Sequence, residues 1–112
     1  MEISTERKGS VLVATTEERI DGVNARAFQD ALQAAIADTD RAVILDLSQL
    51  TYISSAGLRV ILLIARTLQR QDGNLAVCSL SGPVQEVFQI SGFDQIIKTY
   101  GTQDEAISSL AN

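Results

Sequence analysis

Histidine is absent from this chain of 112 residues, and there is a single cysteine. The first absence removes the imidazole that Ser-His-Asp and Cys-His catalysis use as a base, and with it the commonest ligand of transition metals. The second excludes an internal disulfide and a thiolate metal site, so neither a metal nor a cofactor is expected. Two-carboxylate hydrolysis would survive both absences, but nothing singles out a pair among the 14 acidic residues. Basic residues are scarcer still, nine against those 14, for a net charge of −5. They are scattered, with only Arg7 and Lys8 adjacent. Affinity for a phosphate backbone comes mainly from clustered Lys and Arg, so no nucleic-acid partner is expected. Long apolar runs are lacking too: the longest, Val60 to Ala65, is far too short to span a bilayer. The start, Met1 to Glu6, has no basic region followed by an apolar one. These absences together point to a soluble, cytoplasmic protein without membrane insertion.

Hydrophobic residues make up 46% of the chain and charged residues 21%, the balance of a globular protein. The length suits one domain, expected over residues 1–112. Cys78 ends the apolar run Leu75-Ala76-Val77-Cys78 and reads as a core residue.

Strands are expected over residues 2–7 and 10–16 around a Lys8-Gly9 turn, followed by a polar loop from Glu17 to Gly22. Ala27, Phe28, Ala31, Leu32, Ala35 and Ile36 recur at helical spacing, with Asn24 as N-cap and an end near Asp38 to Asp40. Ala42 to Leu47 reads as a buried strand, and Ser48 to Ile53 as a connection. A second helix is expected from about Ala56 to Gln71, closed by a left-handed Gly73, and then a strand from Leu75 to Leu80. Pro83 opens a third helix, with Val84, Val87 and Phe88 turned inward, and Gly92 ends it. Ile96-Ile97 reads as a short strand. Thr102 to Glu105 has the capping-box form before a last helix carrying Ala106, Ile107 and Leu110. Strands alternating with helices imply a mainly parallel sheet with right-handed crossovers and one antiparallel edge.

The segment from Asp46 to Leu58 is the informative one. It leaves a buried strand, passes through a connection and reaches Ser54-Ser55 at the start of a strongly apolar helix. A hydroxyl there sits beside the free N–H groups and the positive end of the helix dipole. One reading is an N-cap serine. The other is a phosphoacceptor, since a phosphate is accommodated electrostatically at a helix N-terminus.

Here the sequence resembles the STAS domains of bacterial anti-sigma factor antagonists. Ile53-Ser54-Ser55-Ala56-Gly57-Leu58 is similar to their D-S-[ST]-G-L phosphoacceptor motif, and Leu45-Asp46-Leu47-Ser48 to the strand end before it. Gly73 to Cys78 looks like the family's glycine turn and following strand. Pro83 to Phe88, through Ser91-Gly92-Phe93, looks like its third helix and closing turn. The likeness covers nearly the whole chain. It implies one STAS-like α/β domain, a mainly parallel mixed sheet of about five strands with about four helices.

Aligned on Gly57-Leu58, the family's phosphorylated serine falls on Ser55. Ser54 replaces the usual aspartate and is the alternative acceptor. The family's G-E-L-D loop, which lies near the phosphoacceptor and contributes to partner contact, appears as Glu18-Arg19-Ile20-Asp21, with the aspartate kept and the glycine not. The resemblance thus implies partner-binding roles for Asp21, Ser54, Ser55 and Gly57. It implies no enzyme activity but partner switching. The unphosphorylated form would bind an anti-sigma factor or serine kinase of the histidine-kinase-like ATPase class, phosphorylation would release it, and a PP2C-type phosphatase would reset it. The alternative is a STAS interaction subunit of a lipid-transport or stressosome-like complex with no phospho-switch. An enzyme using Ser55 as nucleophile would need a base, and the G-x-S-x-G elbow is missing.

The second helix is apolar nearly all round. Val60 and Ile64 either pack inside the protein or reach a partner near the phosphosite. Arg59, one turn after Ser55, is either a solvated surface charge or a partner for a phosphate on that serine.

Overall fold

The computed structural model describes residues 3–110; the strand expected from residue 2 and the expected domain limits at 1 and 112 extend outside the described residues. In chain order the elements are β1 (Ser4–Lys8), β2 (Val11–Thr15), β3 (Arg19–Ile20), α1 (Ala25–Ala35), β4 (Ala42–Asp46), β5 (Tyr52–Ile53), α2 (Ser55–Arg70), β6 (Asn74–Cys78), α3 (Gly82–Ser91), β7 (Lys98–Tyr100) and α4 (Gln103–Leu110). A 3-10 turn, Phe93–Gln95, lies between α3 and β7.

The main sheet has five strands in the order β1-β2-β4-β6-β7, parallel throughout except for β1, which pairs antiparallel with β2. This is the mixed sheet with four helices that the sequence implies. Each crossover from β2 to β7 steps the same way along the sheet. Right-handed connections therefore carry α1, α2 and α3 onto one face. Phe28, Leu32, Leu58, Ile61, Leu68, Val84 and Phe88 meet there over Leu12, Val43, Leu45 and Val77. On the other face α4 covers a smaller cluster, Val11, Val13, Ala42, Ile44, Cys78 and Ala106. Strands β2 and β4 are apolar without alternation because both their faces are covered. Cys78 is a core residue, and burial pushes its thiol pKa up.

The turns are set by residue chemistry. Gly9 takes a positive φ of 64° at the first position of the two-residue hairpin loop between Lys8 and Val11. Gly92 ends α3 as expected, and it does so in the left-handed conformation. Glu105 N–H donates to Thr102 Oγ1 at 3.1 Å, the forward half of the capping box.

Several expectations are corrected. The left-handed residue after α2 is Asp72, not Gly73. The N–H groups of Asp72 and Gly73 close the helix onto the carbonyls of Gln69 and Leu68. Gly73 is needed for closeness instead: a Cβ there would lie 3.2 Å from the carbonyl oxygens of Asp40 and Leu68. Helix α1 stops at Ala35, short of Asp38, because Ile36 is extended and Ala37 N–H turns to the Asp40 carboxylate at 2.7 Å. Ile96-Ile97 is not a strand. It follows the 3-10 turn, and pairing with β6 begins at Lys98.

The remaining corrections shape the site. The polar loop holds β3 and the connection holds β5, and the two pair as a small separate parallel ribbon.

Candidate functional site

The β3–β5 ribbon brings the site together. Arg19 pairs with Tyr52 and Ile20 with Ile53 in parallel register, and Ser54 N–H donates to Ile20 O at 2.9 Å. Parallel strands point their C-terminal ends the same way, about 4.8 Å apart. Asp21 leaves β3 and Ser54-Ser55 leave β5 at one corner of the molecule. Thr51 fastens the other end, its N–H and Oγ1 both donating to Glu18 O at 2.8 and 3.0 Å.

Ser54 is the N-cap of α2, with extended backbone, and its Oγ accepts from Gly57 N–H at 3.3 Å. Ser55 is the first helical residue and is exposed. In this first turn the N–H groups of Ser55 and Ala56 have no acceptor within the helix. The two readings of a hydroxyl at this point thus fall on different residues: Ser54 caps, and Ser55 faces solvent.

Gly57, implied to contact a partner, and Val60, read as either packing inside or reaching a partner, are both buried. A Cβ on Gly57 would lie 2.7 Å from both Ile20 Cγ2 and Ile53 Cγ1. The glycine therefore lets the start of α2 lie directly on the ribbon, and it positions Ser55 without being presented itself. Val60 is 6% exposed and Ile64 2%, both packed in the larger core, so a direct partner contact through Val60 is corrected to ordinary packing. Arg59 is exposed one turn beyond Ser55.

The Asp21 loop is tightly organised. Asp21 Oδ1 accepts from the N–H groups of Val23 and Asn24 at 2.9 and 3.2 Å, and its Oδ2 accepts from Arg19 Nε at 2.9 Å. Arg19, and then the two backbone donors, hold this carboxyl below the usual carboxylate range. Asn24 occupies the N-cap position of α1, but its side chain does not cap. It bridges the loop, accepting from Asp21 N–H and donating to Arg19 O, both at 2.9 Å. The Arg19 guanidinium also lies over the Tyr52 ring, 4.3 Å from its centre.

This network lifts Val23 into solvent, 95% exposed. Arg19, Val23 and Tyr52 were not legible as site residues. The one signal available was the i, i+2 spacing of Arg19 and Asp21, which means little until the ribbon is known.

Among the described residues no group of three or more acidic or cysteine side chains is placed to hold a metal ion, and no helix is long and apolar enough to cross a membrane. What the fold and this corner define is a small α/β domain, with a hydrogen-bonded loop and an exposed serine side by side at one end of a two-stranded ribbon.

The chain belongs to the STAS domain family, whose description matches residues 2–106. It is 37% identical to a putative anti-sigma factor antagonist of Bordetella bronchiseptica, BtrV, over 97% of this chain and 94% of that protein. The crystal structure of an anti-sigma factor antagonist from Mycobacterium paratuberculosis superposes with a TM-score of 0.89 at 25% identity, over 99% of this chain and 94% of the other. The fold is shared with the Bacillus antagonist SpoIIAA. Its unphosphorylated form matches with a TM-score of 0.81 at 21% identity, over 98% of this chain and 96% of the other. Its phosphorylated form matches with a TM-score of 0.71 at the same 21% identity, over 96% and 98%.

Proposed function

We propose that this antagonist is switched by phosphorylation of Ser55. Unphosphorylated, it binds an anti-sigma factor with serine-kinase activity, of the histidine-kinase-like ATPase class, through the corner formed by Ser54, Ser55 and the Asp21 loop. Phosphorylation releases it, and a PP2C-type phosphatase restores it. One observation carries this reading: Ser55 is exposed at the N-terminus of α2, side by side with a loop whose shape is locked.

Ser55 is favoured over Ser54 for a physical reason. The Ser54 oxygen already accepts the Gly57 N–H and its residue is half-buried, whereas the Ser55 hydroxyl is open to a kinase. The replacement of the family's aspartate by Ser54 also loses little, because aspartate and serine cap helices about equally well. A phosphate on Ser55 brings roughly −1.5 to −2 charges to a helix end that favours anions. The free domain tolerates it. In a complex the same charge must be stripped of water, and an unpaired buried charge costs several kcal/mol. That asymmetry is the switch. SpoIIAA, solved in an unphosphorylated and a phosphorylated form, supports the reading by its own two states.

The test is mass spectrometry after incubation with the cognate kinase and ATP. One phosphate should add to the wild type, map to Ser55, remain on Ser54→Ala and vanish from Ser55→Ala. Mapping to Ser54, or undiminished labelling of Ser55→Ala, would refute the assignment.

A further inference from the structure

Helix α2 carries three arginines, Arg59, Arg66 and Arg70, and no acidic residue, in a protein of net charge −5. All three are exposed, and among the described residues they form no ion pair or hydrogen bond through their side chains. The other arginines are all engaged. Arg7 pairs with Asp40, Arg19 with Asp21 and Arg26 with Asp30, while Arg41 donates to the carbonyls of Asp38 and Asp40. The arginines whose side chains have no partner among the described residues are therefore all on one helix.

The three arginines share one face. Spacings of seven and four residues set Arg59, Arg66 and Arg70 along a stripe about 16 Å long, at 1.5 Å per residue. Between them Leu62 and Leu63 line a shallow hollow of about 280 Å³, with Thr67 on its wall. Leu63 is 41% exposed, one of the few large apolar side chains left in solvent. Guanidinium groups flanking a leucine pair, over the length of three helical turns, form a surface that carboxylates and apolar groups at helical spacing would match.

We infer that the outer face of α2 is a docking ridge for an acidic amphipathic helix of a partner protein, whose apolar side chains sit on Leu62 and Leu63. This deepens the antagonist reading by naming the chemistry of the partner's surface, and it rests on that reading where it takes the anti-sigma factor as the partner. An anionic membrane is a poorer occupant: a chain of net charge −5 is repelled by it, and two partly covered leucines are too small an inserting face. Ser55 lies one turn before Arg59, so the ridge begins at the phosphosite.

The test uses the whole protein as wild type, as Arg66→Gln/Arg70→Gln and as Leu63→Ser, each first shown by circular dichroism to melt within about 3 °C of the wild type. Each form is titrated with the anti-sigma factor of the same genome. It is also titrated with a fluorescent peptide of about 14 residues, helical, with leucines on one face and glutamates beside them. Vesicles rich in phosphatidylglycerol are a third probe. The expected result is binding of factor and peptide by the wild type, weakened about tenfold by the arginine pair and about threefold by Leu63→Ser. Binding should also fall with added salt, as exposed charge contacts do. A peptide with lysine for glutamate should not bind. If the wild type and both variants bind the factor equally, the ridge is overturned and the antagonist reading stands. If the wild type ignores the factor, the antagonist reading fails and the peptide decides: arginine-dependent binding keeps the ridge, and no binding overturns it. Vesicle binding that depends on Arg66 and Arg70, without peptide binding, overturns it in favour of a membrane.

Discussion

Arg7–Asp40 and Arg19–Asp21 are the same chemical pair in two settings. Asp40 is 5% exposed, and it accepts both from the forked guanidinium of Arg7, at 2.6 and 3.1 Å, and from Ala37 N–H. It joins edge strand β1 to the end of α1, residues 33 apart in sequence. Asp21 is partly exposed, and the partners of its carboxylate all lie within three residues. The first pair closes a corner of the fold, where losing a partner leaves a desolvated carboxylate or backbone donor. The second shapes a loop in contact with water, where its electrostatic worth is largely screened. Burial decides whether the pair serves stability or presentation.

The largest effect should come from the buried member. Asp40→Ala strands Ala37 N–H and removes the anchor of Arg7. A loss of about 1.5–3 kcal/mol is expected, read as a lower urea midpoint, with partner affinity unchanged. The pH dependence sharpens this. Arg7, followed by the Ala37 N–H, holds the Asp40 carboxyl below its ordinary value against the opposing effect of burial. A carboxyl depressed in the folded state contributes stability above its unfolded pKa, near 3.9, and loses it as pH falls through the lower folded value. Urea midpoints of the wild type should therefore fall below about pH 4, and those of Asp40→Asn should fall less steeply. Equal slopes would mean the pair contributes nothing measurable.

Gly57→Ala comes next, because it acts where the exposed corner meets the core. The added methyl must push aside Ile20 and Ile53, at a cost of about 1–3 kcal/mol. It should also shift Ser55 and slow its phosphorylation, which a stability loss elsewhere would not do. Comparison with Asp40→Ala at matched stability separates the two effects.

The smallest change in stability belongs to the exposed pair. Asp21→Asn keeps the side-chain shape and weakens the hold on Arg19. Its melting temperature should stay within about 2 °C of the wild type, while binding of the anti-sigma factor weakens about tenfold as Val23 and Arg19 lose their fixed positions. A large drop in melting temperature would erase the distinction between the two pairs.

Much of the main sheet was legible because β2, β4 and β6 are short apolar runs separated by helical periodicity, and the place of Ser54-Ser55 at the start of α2 was legible from the apolar helix that follows. The ribbon was not, since two-residue strands such as Arg19–Ile20 and Tyr52–Ile53 have no periodicity to read. Asp40 looked like part of a polar helix end because its partner, Arg7, is distant in sequence. Val60 sits where the periodicity of an all-apolar helix gives no preferred face, and only packing decided that it is buried. Asn24 kept its expected position and lost its expected job, because Asp21 N–H competes for its oxygen.

The most direct test of the switch is calorimetric titration of the anti-sigma factor with the unphosphorylated protein and with a sample phosphorylated once at Ser55, both checked by thermal melting. Phosphorylation should weaken binding by about a hundredfold or more, as expected for several kcal/mol of uncompensated desolvation, while the melting temperature stays level or rises slightly. Equal affinity of the two forms would contradict the switch, and so would a loss of binding that merely tracks unfolding.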